Sequence, residues 1–359
     1  MKAMVLAAGR GTRLRPLTVA CPKPLVPWFD RPLLAWALDR VARCGADPVV
    51  VNAAVQADAV GAAVARWATG RRRPRVFVSV EPRPLGTAGG LARARHWLEG
   101  DDLLVVNADI VTTIDLDAAR RAHAASAADV TLVVVEAAAH GVAPNVVVDD
   151  GGRVRWLAGV GPADGRRARF AYTGMLVASP GLWRWIPQAP PPTRGWCLKE
   201  DVLWPMLRAG APVRAWIGDG LWSDVGTPRT YLQTHLRVLG DPALLAHWTP
   251  AEAVEDPVGV WRCGDVALAP RCRLAPPVWL GTQVRCDAGA RVGPHVVVGR
   301  GARLSGGAVV RDCVVWATAT VAAPVQRAVV WVERPGGPAR TEPVPTDSVA
   351  GGHRDPSAK

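Results

Sequence analysis

The sequence is poor in the cysteine patterns that metal centres and disulfide frameworks require. Its seven cysteines stand at positions 21, 44, 197, 263, 272, 286 and 313, and no two have Cys-x2-Cys spacing. An odd, scattered set argues against both kinds of site. The chain also lacks an apolar run approaching the 18 or more residues of a membrane span, and its N-terminus lacks the apolar stretch and cleavage site of a signal peptide. These absences favour a reduced, cytoplasmic protein with no membrane partner.

Two common phosphate-binding glycine loops are missing as well. A Walker A loop requires Gly-x4-Gly-Lys-Ser/Thr, and no such string occurs. The dinucleotide-binding fingerprint requires a third glycine, but Leu14 stands three positions after Gly11. Any phosphate site in this chain therefore has to be of another kind.

The charge balance does not by itself indicate a nucleic-acid partner. Lysine and arginine total 43 against 31 acidic residues, which gives a net charge of +12. The excess is mostly arginine spread along an Ala/Arg/Pro-rich chain, and the densest cluster, Arg71–Arg73, lies between a predicted helix and a predicted strand. We therefore expect solvated arginines and anionic substrates rather than nucleic acid.

A glycine- and arginine-rich segment directly follows the first apolar run. The run Ala3–Leu6 predicts a buried strand, and Gly9 and Gly11 allow a sharp turn that brings backbone close to a ligand. Successive N–H groups in such a turn form a concavity that binds anions. Four cations follow in the same segment: Arg10, Arg13, Arg15 and Lys23. The pattern favours a polyphosphate site over a glycine turn with solvated arginines.

The full string from Leu6 to Leu25 is far more specific than its glycines. It reads Leu-Ala-Ala-Gly-x-Gly-Thr-Arg-Leu-x-Pro-Leu-Thr and continues to Pro-Lys-Pro-Leu. It strongly resembles the signature of the sugar-1-phosphate nucleotidyltransferases, with every fixed position matched. The resemblance implies a reaction between a nucleoside triphosphate and a sugar 1-phosphate. It implies Arg13 and Lys23 as catalytic residues. The nucleotide-binding residues that it implies in this segment are Leu6, Ala7, Ala8, Gly9, Gly11 and Thr12.

Two aspartates match the metal ligands of that family. Asp109 follows the apolar run Leu103–Val106, and Asp224 lies in Trp-Ser-Asp-Val-Gly-Thr-Pro. Carboxylate oxygens suit Mg²⁺, which usually takes only one or two of them beside substrate phosphates. The first motif departs from the family pattern, since Ala108 stands where glycine is usual. Taken alone, each aspartate also fits a helix cap or turn.

A second glycine segment, Glu81–Gly90, follows a predicted strand and opens a helix. It resembles the family loop Glu-x-x-Pro-Leu-Gly-Thr-Ala-Gly, which implies that Glu81, Gly86 and Thr87 bind the nucleotide. A plain glycine turn with a good helix start is the alternative.

The sugar side departs from the family pattern. Many members carry Glu-Lys-Pro where this chain has the lysine-free stretch 158–165. Arg166, Arg167 or Arg169 could replace that lysine, and the residues do not decide between them. The resemblance places Thr173 and Gly174 on the strand that lines the sugar. Lys199 and Glu200, at the start of a predicted helix, are further candidates for the sugar phosphate, and ordinary N-terminal helix charges are the alternative.

Alternating apolar runs and helical patterns predict an α/β fold over residues 1–240. The expected architecture is a Rossmann-like, mostly parallel sheet with helices on both faces and an antiparallel extension over 130–178. Because ligands gather at the carboxyl ends of parallel strands, Gly9 and Asp109 should line one crevice.

A period of six residues runs from Leu268 to Trp316, with a second apolar position two residues before each large one. Nine such repeats predict a parallel β-helix of about three coils over 258–331. The family resemblance implies that it is left-handed and suggests a surface for homo-oligomers. Proline and glycine predict a linker over 241–257 and a disordered tail over 332–359.

The short C-terminal β-helix makes the chain most similar to the mannose-1-phosphate guanylyltransferase branch. The leading hypothesis is therefore transfer from GTP to mannose 1-phosphate, which forms GDP-mannose. The alternatives are UTP or dTTP with a hexose or amino-sugar 1-phosphate, and a non-catalytic regulatory subunit. An acyltransferase built on the β-helix would need a catalytic histidine, and His295 is the single histidine among the repeats.

Overall fold

The N-terminal part of the chain folds around a central sheet of short, apolar strands. The computed structural model describes residues 1–161, 167–188, 194–334 and 336–345. The strands of this part are β1 (Lys2–Leu6), β2 (Pro27–Trp28), β3 (Arg31–Pro32), β4 (Val49–Ala53), β5 (Val76–Val80), β6 (Leu103–Asn107), β7 (Ile110–Thr112), β8 (Val130–Glu136), β9 (Val146–Val148), β10 (Val154–Leu157), β11 (Phe170–Ala178), β12 (Val213–Ile217) and β13 (Trp222–Asp224). The helices are α1 (Leu17–Ala20), α2 (Leu33–Arg43), α3 (Ala57–Ala68), α4 (Gly86–Leu98), α5 (Leu116–Ala124), α6 (Trp204–Arg208), α7 (Pro228–Leu239) and α8 (Pro242–Leu245).

The central sheet confirms the predicted α/β architecture. Strands β5, β4, β1 and β6 lie side by side and parallel. Strand β11 then pairs antiparallel with both β6 and β8, and β12 joins β8 in parallel. The antiparallel extension predicted over 130–178 is therefore a continuation of the same sheet. No helix within the described ranges is long and apolar enough to cross a membrane.

Helices cover both faces of this sheet, which explains its continuous apolar strands. Side chains alternate along β1: Ala3 and Val5 enter the core cluster that contains α2 and α3, whereas Met4 enters the cluster that contains α4. At the carboxyl edge, Leu6 pairs with Asn52 on one side and Asn107 on the other. The glycine loop after β1 and the turn after β6 therefore emerge at the same level, as the strand pattern predicts.

Helix α5 is absent from the sequence prediction. Asp115 is the N-cap of this helix, and its carboxylate accepts the N–H groups of Asp117 and Ala118. The helix buries little more than Leu116, Ala119 and His123, so its apolar period is too sparse to detect. Its signal was the N-cap rather than the periodicity.

The C-terminal part consists of stacked short strands, and it confirms the predicted parallel β-helix. The strands are β14 (Val254–Glu255), β15 (Val260–Arg262), β16 (Ala267–Leu268), β17 (Arg273–Leu274), β18 (Val278–Leu280), β19 (Arg285–Cys286), β20 (Arg291–Val292), β21 (Val296–Val298), β22 (Arg303–Leu304), β23 (Val309–Val315), β24 (Thr320–Val321), β25 (Val325–Val332) and β26 (Ala339–Pro343). Val260 pairs with Val278, and Val278 pairs with Val296, so one coil takes 18 residues, or three hexapeptides.

The coil from Val296 to Cys313 departs from the six-residue register. Val296 pairs with Cys313, which is only 17 residues further on. Cys313 therefore takes the interior position, and the predicted interior residues Val314 and Trp316 join the cluster between the two domains instead. A one-residue shift exchanges the two faces of a strand, which is why the sequence period misplaces both residues.

The segments on either side of the β-helix are more ordered than the sequence pattern predicts. The predicted linker contains α8, and its Leu245 and Trp248 are buried between the domains. In the predicted tail, β26 pairs antiparallel with β25. Backbone hydrogen bonds order this strand without the apolar side chains that the prediction required. Residues 346–359 of the predicted tail lie outside the described residues.

One face of the β-helix packs against α7 and the β2–β3 hairpin. The aromatic side chains of Trp28, Tyr231 and Trp279 are buried there with Trp316 and His235. Burial lowers the pKa of His235 to about 3 from an ordinary value of 6.5. Its ring is therefore neutral in the folded protein throughout the mildly acidic range.

This buried histidine should make stability depend on pH. Below pH 6.5 the unfolded chain binds a proton at His235 that the folded chain does not. The free energy of unfolding therefore decreases as pH falls through this range. We expect His235 to make the free energy of unfolding about 2 kcal/mol lower at pH 5 than at pH 7. Urea titrations at both pH values measure this difference in the free energy of unfolding. The difference between pH 5 and pH 7 should be about 2 kcal/mol smaller in His235→Gln than in the wild-type protein. An equal difference in the two proteins would contradict the assignment.

Candidate active site

The predicted catalytic and metal-binding residues meet at one point of the carboxyl edge. The Nζ atom of Lys23 contacts Oδ2 of Asp109 and lies 3.5 Å from Oδ1 of Asp224. A guanidinium nitrogen of Arg13 lies 3.4 Å from Oδ2 of Asp224. Two cations and two carboxylates, drawn from four separate segments, therefore form one cluster.

Glycine at position 11 permits the close approach of Lys23. Gly11 has a φ of 61°, and a Cβ there would lie 2.8 Å from Cβ of Lys23. The hydroxyl of Thr18 donates to the Gly11 carbonyl over 3.0 Å, which holds the loop against the following turn. The lysine starts a 3-10 turn, Lys23–Leu25, and its side chain is only 9% exposed.

The two aspartates are placed side by side by a small two-stranded sheet. Strands β7 and β13 pair antiparallel, and Asp224 pairs with Ile110, the residue directly after Asp109. Alanine is accommodated at position 108, where the family pattern has glycine, because its side chain is buried in the core cluster of the sheet, and its N–H donates to the Leu6 carbonyl over 3.0 Å. Glycine at position 226 leaves room for the Asp224 carboxylate, since a Cβ there would lie 3.0 Å from Oδ1 of Asp224.

A cleft opens beside this cluster between the two glycine loops. Of the predicted nucleotide-binding residues, six line it: Leu6, Ala7, Ala8, Gly9, Gly86 and Thr87. Lys23 and Asp109 stand at its wall, together with Asn52 and Asn107. The other three predicted residues, Gly11, Thr12 and Glu81, are not part of the lining.

Glu81 lies beneath the cleft and connects the two glycine loops. Its Oε1 atom accepts a hydrogen bond from Nδ2 of Asn52 over 2.7 Å, and its Oε2 atom accepts the Leu85 N–H over 2.8 Å. Asn52 in turn accepts the N–H of Ala7 over 2.7 Å. Burial raises the pKa of Glu81, and these hydrogen bonds oppose the rise. At 2% exposure Glu81 braces the cleft, which corrects its predicted role as a direct ligand contact.

Asn52 was missed at the sequence level although a usable signal existed. It belongs to the carboxyl end of β4, directly opposite Leu6. The rule that places Asp109 near Gly9 applies equally to any polar residue at the end of a neighbouring parallel strand.

The second glycine loop is held by the segment that precedes the π-helical turn Leu198–Leu203. Ala88 donates its N–H to the Trp196 carbonyl over 2.9 Å, and Trp196 donates its own to the Leu85 carbonyl over 2.8 Å. The hydroxyl of Thr87 accepts the N–H of Leu198 over 2.7 Å. Thr87 therefore lines the cleft with its hydroxyl oxygen fixed by the backbone, and its O–H can still donate to a ligand.

Replacing Gly86 with alanine should destabilise the protein and weaken nucleotide binding. Gly86 has a φ of 78°, and an added Cβ would overlap the Trp196 backbone. We expect the free energy of unfolding to fall by about 1–3 kcal/mol. Gly61, inside α3 with open space around it, is the matched control, and Gly61→Ala should stabilise by about 0.5–1 kcal/mol. Thermal melts measure the stability of both variants, and nucleotide titrations measure their affinity. Equal changes of stability and affinity in Gly86→Ala and Gly61→Ala would contradict the role of Gly86.

A second cavity is lined by the other half of the cluster: Arg13 and Asp224 belong to its walls, whereas Lys23 and Asp109 belong to the walls of the first. Its walls also include His140, Trp222 and Arg237. His140 donates from Nδ1 to the Trp222 carbonyl over 3.2 Å, and burial lowers its pKa. Neither His140 nor Arg237 belongs to a motif recognised in the sequence, and only the fold brings them beside Asp224.

The structure revises two of the predicted sugar-phosphate residues. The hydroxyl of Thr173 donates to the Val133 carbonyl over 2.7 Å, and the side chain is buried within the sheet. It is therefore unavailable to a ligand, contrary to the prediction. Gly174 forms an irregularity in the pairing of β11 with β8 and has a φ of 80°. A Cβ at Gly174 would lie 2.6 Å from Nδ2 of Asn107. Glycine at this position therefore leaves room for the Asn107 side chain, which lines the cleft.

The remaining sugar-phosphate candidates that the structure describes are not among the residues that line the two cavities. The Lys199 ammonium lies 3.8 Å from Glu200 and 5.4 Å from the Trp204 ring centre. Arg169 pairs with Glu136 over 2.7 Å on the surface. Arg167 is exposed, and Arg166 lies outside the described residues.

Comparisons with known proteins agree with the geometry of this site. The sequence profile of the family described as Nucleotidyl transferase matches residues 2–240. The chain belongs to this family. It is therefore an enzyme of the nucleotidyltransferase class, and the resemblance found in its N-terminal string is confirmed. The profile ends at Gly240, directly after α7, and so covers the domain that carries the cluster.

Named relatives extend over the β-helix as well. Mannose-1-phosphate guanylyltransferase 1 of Arabidopsis thaliana is 28% identical over 330 residues, covering 89% of this chain and 87% of that protein. The UTP–glucose-1-phosphate uridylyltransferase of a Synechocystis species is 25% identical over 334 residues, covering 88% and 83%. The crystal structure of HddC from Yersinia pseudotuberculosis, complexed with GMP-PN, has a TM-score of 0.51 at 21% identity. It covers 65% of this chain and 96% of that one, which supports the fold of the transferase domain.

Proposed function

We propose that the protein transfers a nucleotidyl group from a nucleoside triphosphate to a sugar 1-phosphate and releases pyrophosphate. The observation that carries this proposal is the cluster of Lys23, Arg13, Asp109 and Asp224, whose ion pairs connect the wall of one cavity, at Lys23 and Asp109, with the wall of the other, at Arg13 and Asp224. A transfer between two polyanions requires cations where the two substrates meet. The cluster supplies them there, and each cavity can hold one reactant.

The residues that line each cavity indicate which of the two substrates it would hold. The cleft between the glycine loops offers the backbone of Ala7–Gly9 and of Gly86, which suits a nucleotide whose phosphates approach closely. The second cavity offers Arg13 and Arg237 beside the neutral ring of His140 and the Thr227 hydroxyl. Cations and neutral polar groups suit the phosphate and hydroxyls of a sugar 1-phosphate. We therefore assign the sugar 1-phosphate to the second cavity.

The carboxylates of the cluster fit a magnesium ion. Two aspartates here share one cation, the Lys23 ammonium, which shows that the site gathers positive charge between carboxylate oxygens. The described residues hold no group of three or more His, Cys, Asp or Glu side chains that could hold a metal ion. A hard ion such as Mg²⁺ usually takes only one or two protein carboxylates and completes its shell with phosphate oxygens, so the pair Asp109 and Asp224 would suffice. Bound to Asp109 and Asp224, Mg²⁺ would neutralise phosphate charge as the transfer proceeds.

The chain's own residues account for the rest of the reaction. A phosphate oxygen of the sugar 1-phosphate attacks the α-phosphorus, and the bond from that phosphorus to the β-phosphate oxygen breaks. Lys23 lies between the cavities, where its ammonium can orient the attacking phosphate against the α-phosphate. Arg13 can bridge two oxygens of a phosphate group with its planar guanidinium. No general base is needed, because the attacking phosphate is already ionised.

For the substrates we propose GTP and mannose 1-phosphate, with UTP and a hexose 1-phosphate as the competing pair. The guanylyltransferase from Arabidopsis thaliana supports the first pair through its name and its coverage of both domains. The uridylyltransferase from Synechocystis supports the second to a similar extent.

A matrix of substrates tests both the transfer reaction and the choice of GTP and mannose 1-phosphate as its substrates. The purified full-length protein is incubated with Mg²⁺, each of the four common nucleoside triphosphates or dTTP, and a panel of hexose and amino-sugar 1-phosphates. Pyrophosphate release is expected only when both substrates are present, with the fastest rate for GTP and mannose 1-phosphate. A faster uridylyl reaction would replace the substrate assignment. No turnover in any combination would overturn the transferase proposal.

A further inference from the structure

We propose that the β-helix positions Lys23 and Asp224 for catalysis through a hydrogen bond from Trp316 to Tyr231. The inference rests on the proposed function, because it concerns the same cluster. It assigns Trp316 and Tyr231 as positioning residues that act on the site from the domain interface.

Both catalytic groups belong to segments that end at this interface. Asp224 closes β13, and α7 starts four residues later behind the Thr227 cap. Lys23 starts a single 3-10 turn, and β2 begins four residues later at Pro27. Any movement of α7 relative to β2 would therefore be transmitted to Asp224 and Lys23 through short, tightly turned connections.

Tyr231 on α7 fastens these two segments to each other. Its hydroxyl donates to the Pro27 carbonyl over 2.6 Å. One turn further on, His235 accepts the Phe29 N–H at Nε2 over 3.3 Å and donates from Nδ1 to the Tyr231 carbonyl over 2.9 Å. Tyr231 and His235 are fully buried, so these bonds are not exchanged with water.

The β-helix supplies the remaining hydrogen bond of this arrangement. Trp316, in the turn after β23, donates its indole N–H to the Tyr231 hydroxyl oxygen over 3.0 Å. A second contact lies nearby: the Arg300 N–H donates to Oδ1 of Asp30 over 2.7 Å, at the tip of the β2–β3 hairpin. The β-helix thus holds α7 and the hairpin at the same time. The shortened coil from Val296 to Cys313 makes this possible, because it turns Trp316 outward.

Burial alone does not account for this geometry. Trp331 lies in the same cluster and is 3% exposed, compared with 7% for Trp316. Its indole nitrogen has no hydrogen-bond partner among the described residues. The two tryptophans therefore share packing and differ in the hydrogen bond to Tyr231. This difference provides a matched control.

The test compares Trp316→Phe with Trp331→Phe in the full-length protein. Both variants lose similar apolar contact, but only Trp316→Phe also loses a hydrogen bond, so we expect the larger decrease in Tm for that variant. Only Trp316→Phe should lower kcat for pyrophosphate release, by about tenfold, with KM for both substrates unchanged within about twofold, because small misplacements of reacting groups are costly. Tyr231→Phe, which removes the hydroxyl from both bonds, should show the same kcat decrease or a larger one.

The outcomes separate the two proposals. A kcat decrease in Trp316→Phe and Tyr231→Phe, with Trp331→Phe at the wild-type rate, supports the positioning role. Equal kcat values in all variants, or an equal decrease in Trp331→Phe, would overturn it while leaving the transferase proposal in place. Absence of turnover in the wild-type protein would overturn the transferase proposal itself, and the positioning role with it.

Discussion

Replacing Lys23 with methionine is expected to slow pyrophosphate release by about 1000-fold, because it removes a buried cation from the point where two phosphates must meet. Methionine keeps an unbranched apolar stem of similar length, so the packing of the 3-10 turn should change little. The loss should appear in kcat, since the charge acts where negative charge accumulates. Steady-state kinetics with the best substrate pair from the matrix provides the measurement.

Lys2→Met is the control for this substitution. Lys2 starts β1 at the opposite end from the glycine loop, and its ammonium donates to the Glu99 carbonyl over 2.6 Å. Its rate should match the wild type. A Lys23→Met rate within about tenfold of the wild type would contradict the catalytic role, because a charge contact of this kind is worth about 100-fold or more.

Replacing Asp109 or Asp224 with asparagine should greatly slow the magnesium-dependent turnover and weaken the binding of the ion. Asparagine keeps the shape and one oxygen but loses the negative charge that the ion requires. We expect each rate to fall by about 100- to 1000-fold at saturating Mg²⁺. The magnesium concentration for half-maximal rate should rise in both variants. A titration of the rate against Mg²⁺ measures both quantities.

The control for the aspartates is Asp287→Asn in the β-helix. Asp287 pairs with Arg303 over 2.9 Å on the outer surface, where an ion pair contributes little to stability. Its magnesium dependence should equal that of the wild type. If Asp109→Asn and Asp224→Asn also behaved like the wild type, the metal assignment would be wrong, although the Lys23 prediction could still hold.

Local signals in the sequence were sufficient for the fold class and for the residues of the cluster. The string from Leu6 to Leu25 and the motif around Asp224 specify short backbone segments whose geometry depends on nearby residues. The six-residue period likewise predicts the β-helix, since each coil repeats its own packing. These features could be recognised because each depends on a contiguous stretch.

The features that could not be predicted depend on contacts between distant segments. Glu81 matches a binding motif, yet the partners that make it a brace come from β4 and the following turn. Thr173 lies on a strand as expected, but which face it occupies depends on an irregularity beside Gly174. Trp316 keeps the six-residue period and still faces outward, because the coil from Val296 to Cys313 is one residue shorter than the coils before it.

The most direct test of the account follows the oxygen atoms of the sugar 1-phosphate. The three non-bridging phosphate oxygens are labelled with ¹⁸O, the best nucleoside triphosphate is unlabelled, and both products are analysed by mass spectrometry. Attack by the sugar phosphate on the α-phosphorus predicts that the nucleotide sugar keeps all three labelled oxygens and that the pyrophosphate has none. Label in the pyrophosphate, or a nucleotide sugar lacking one labelled oxygen, would contradict the proposed transfer.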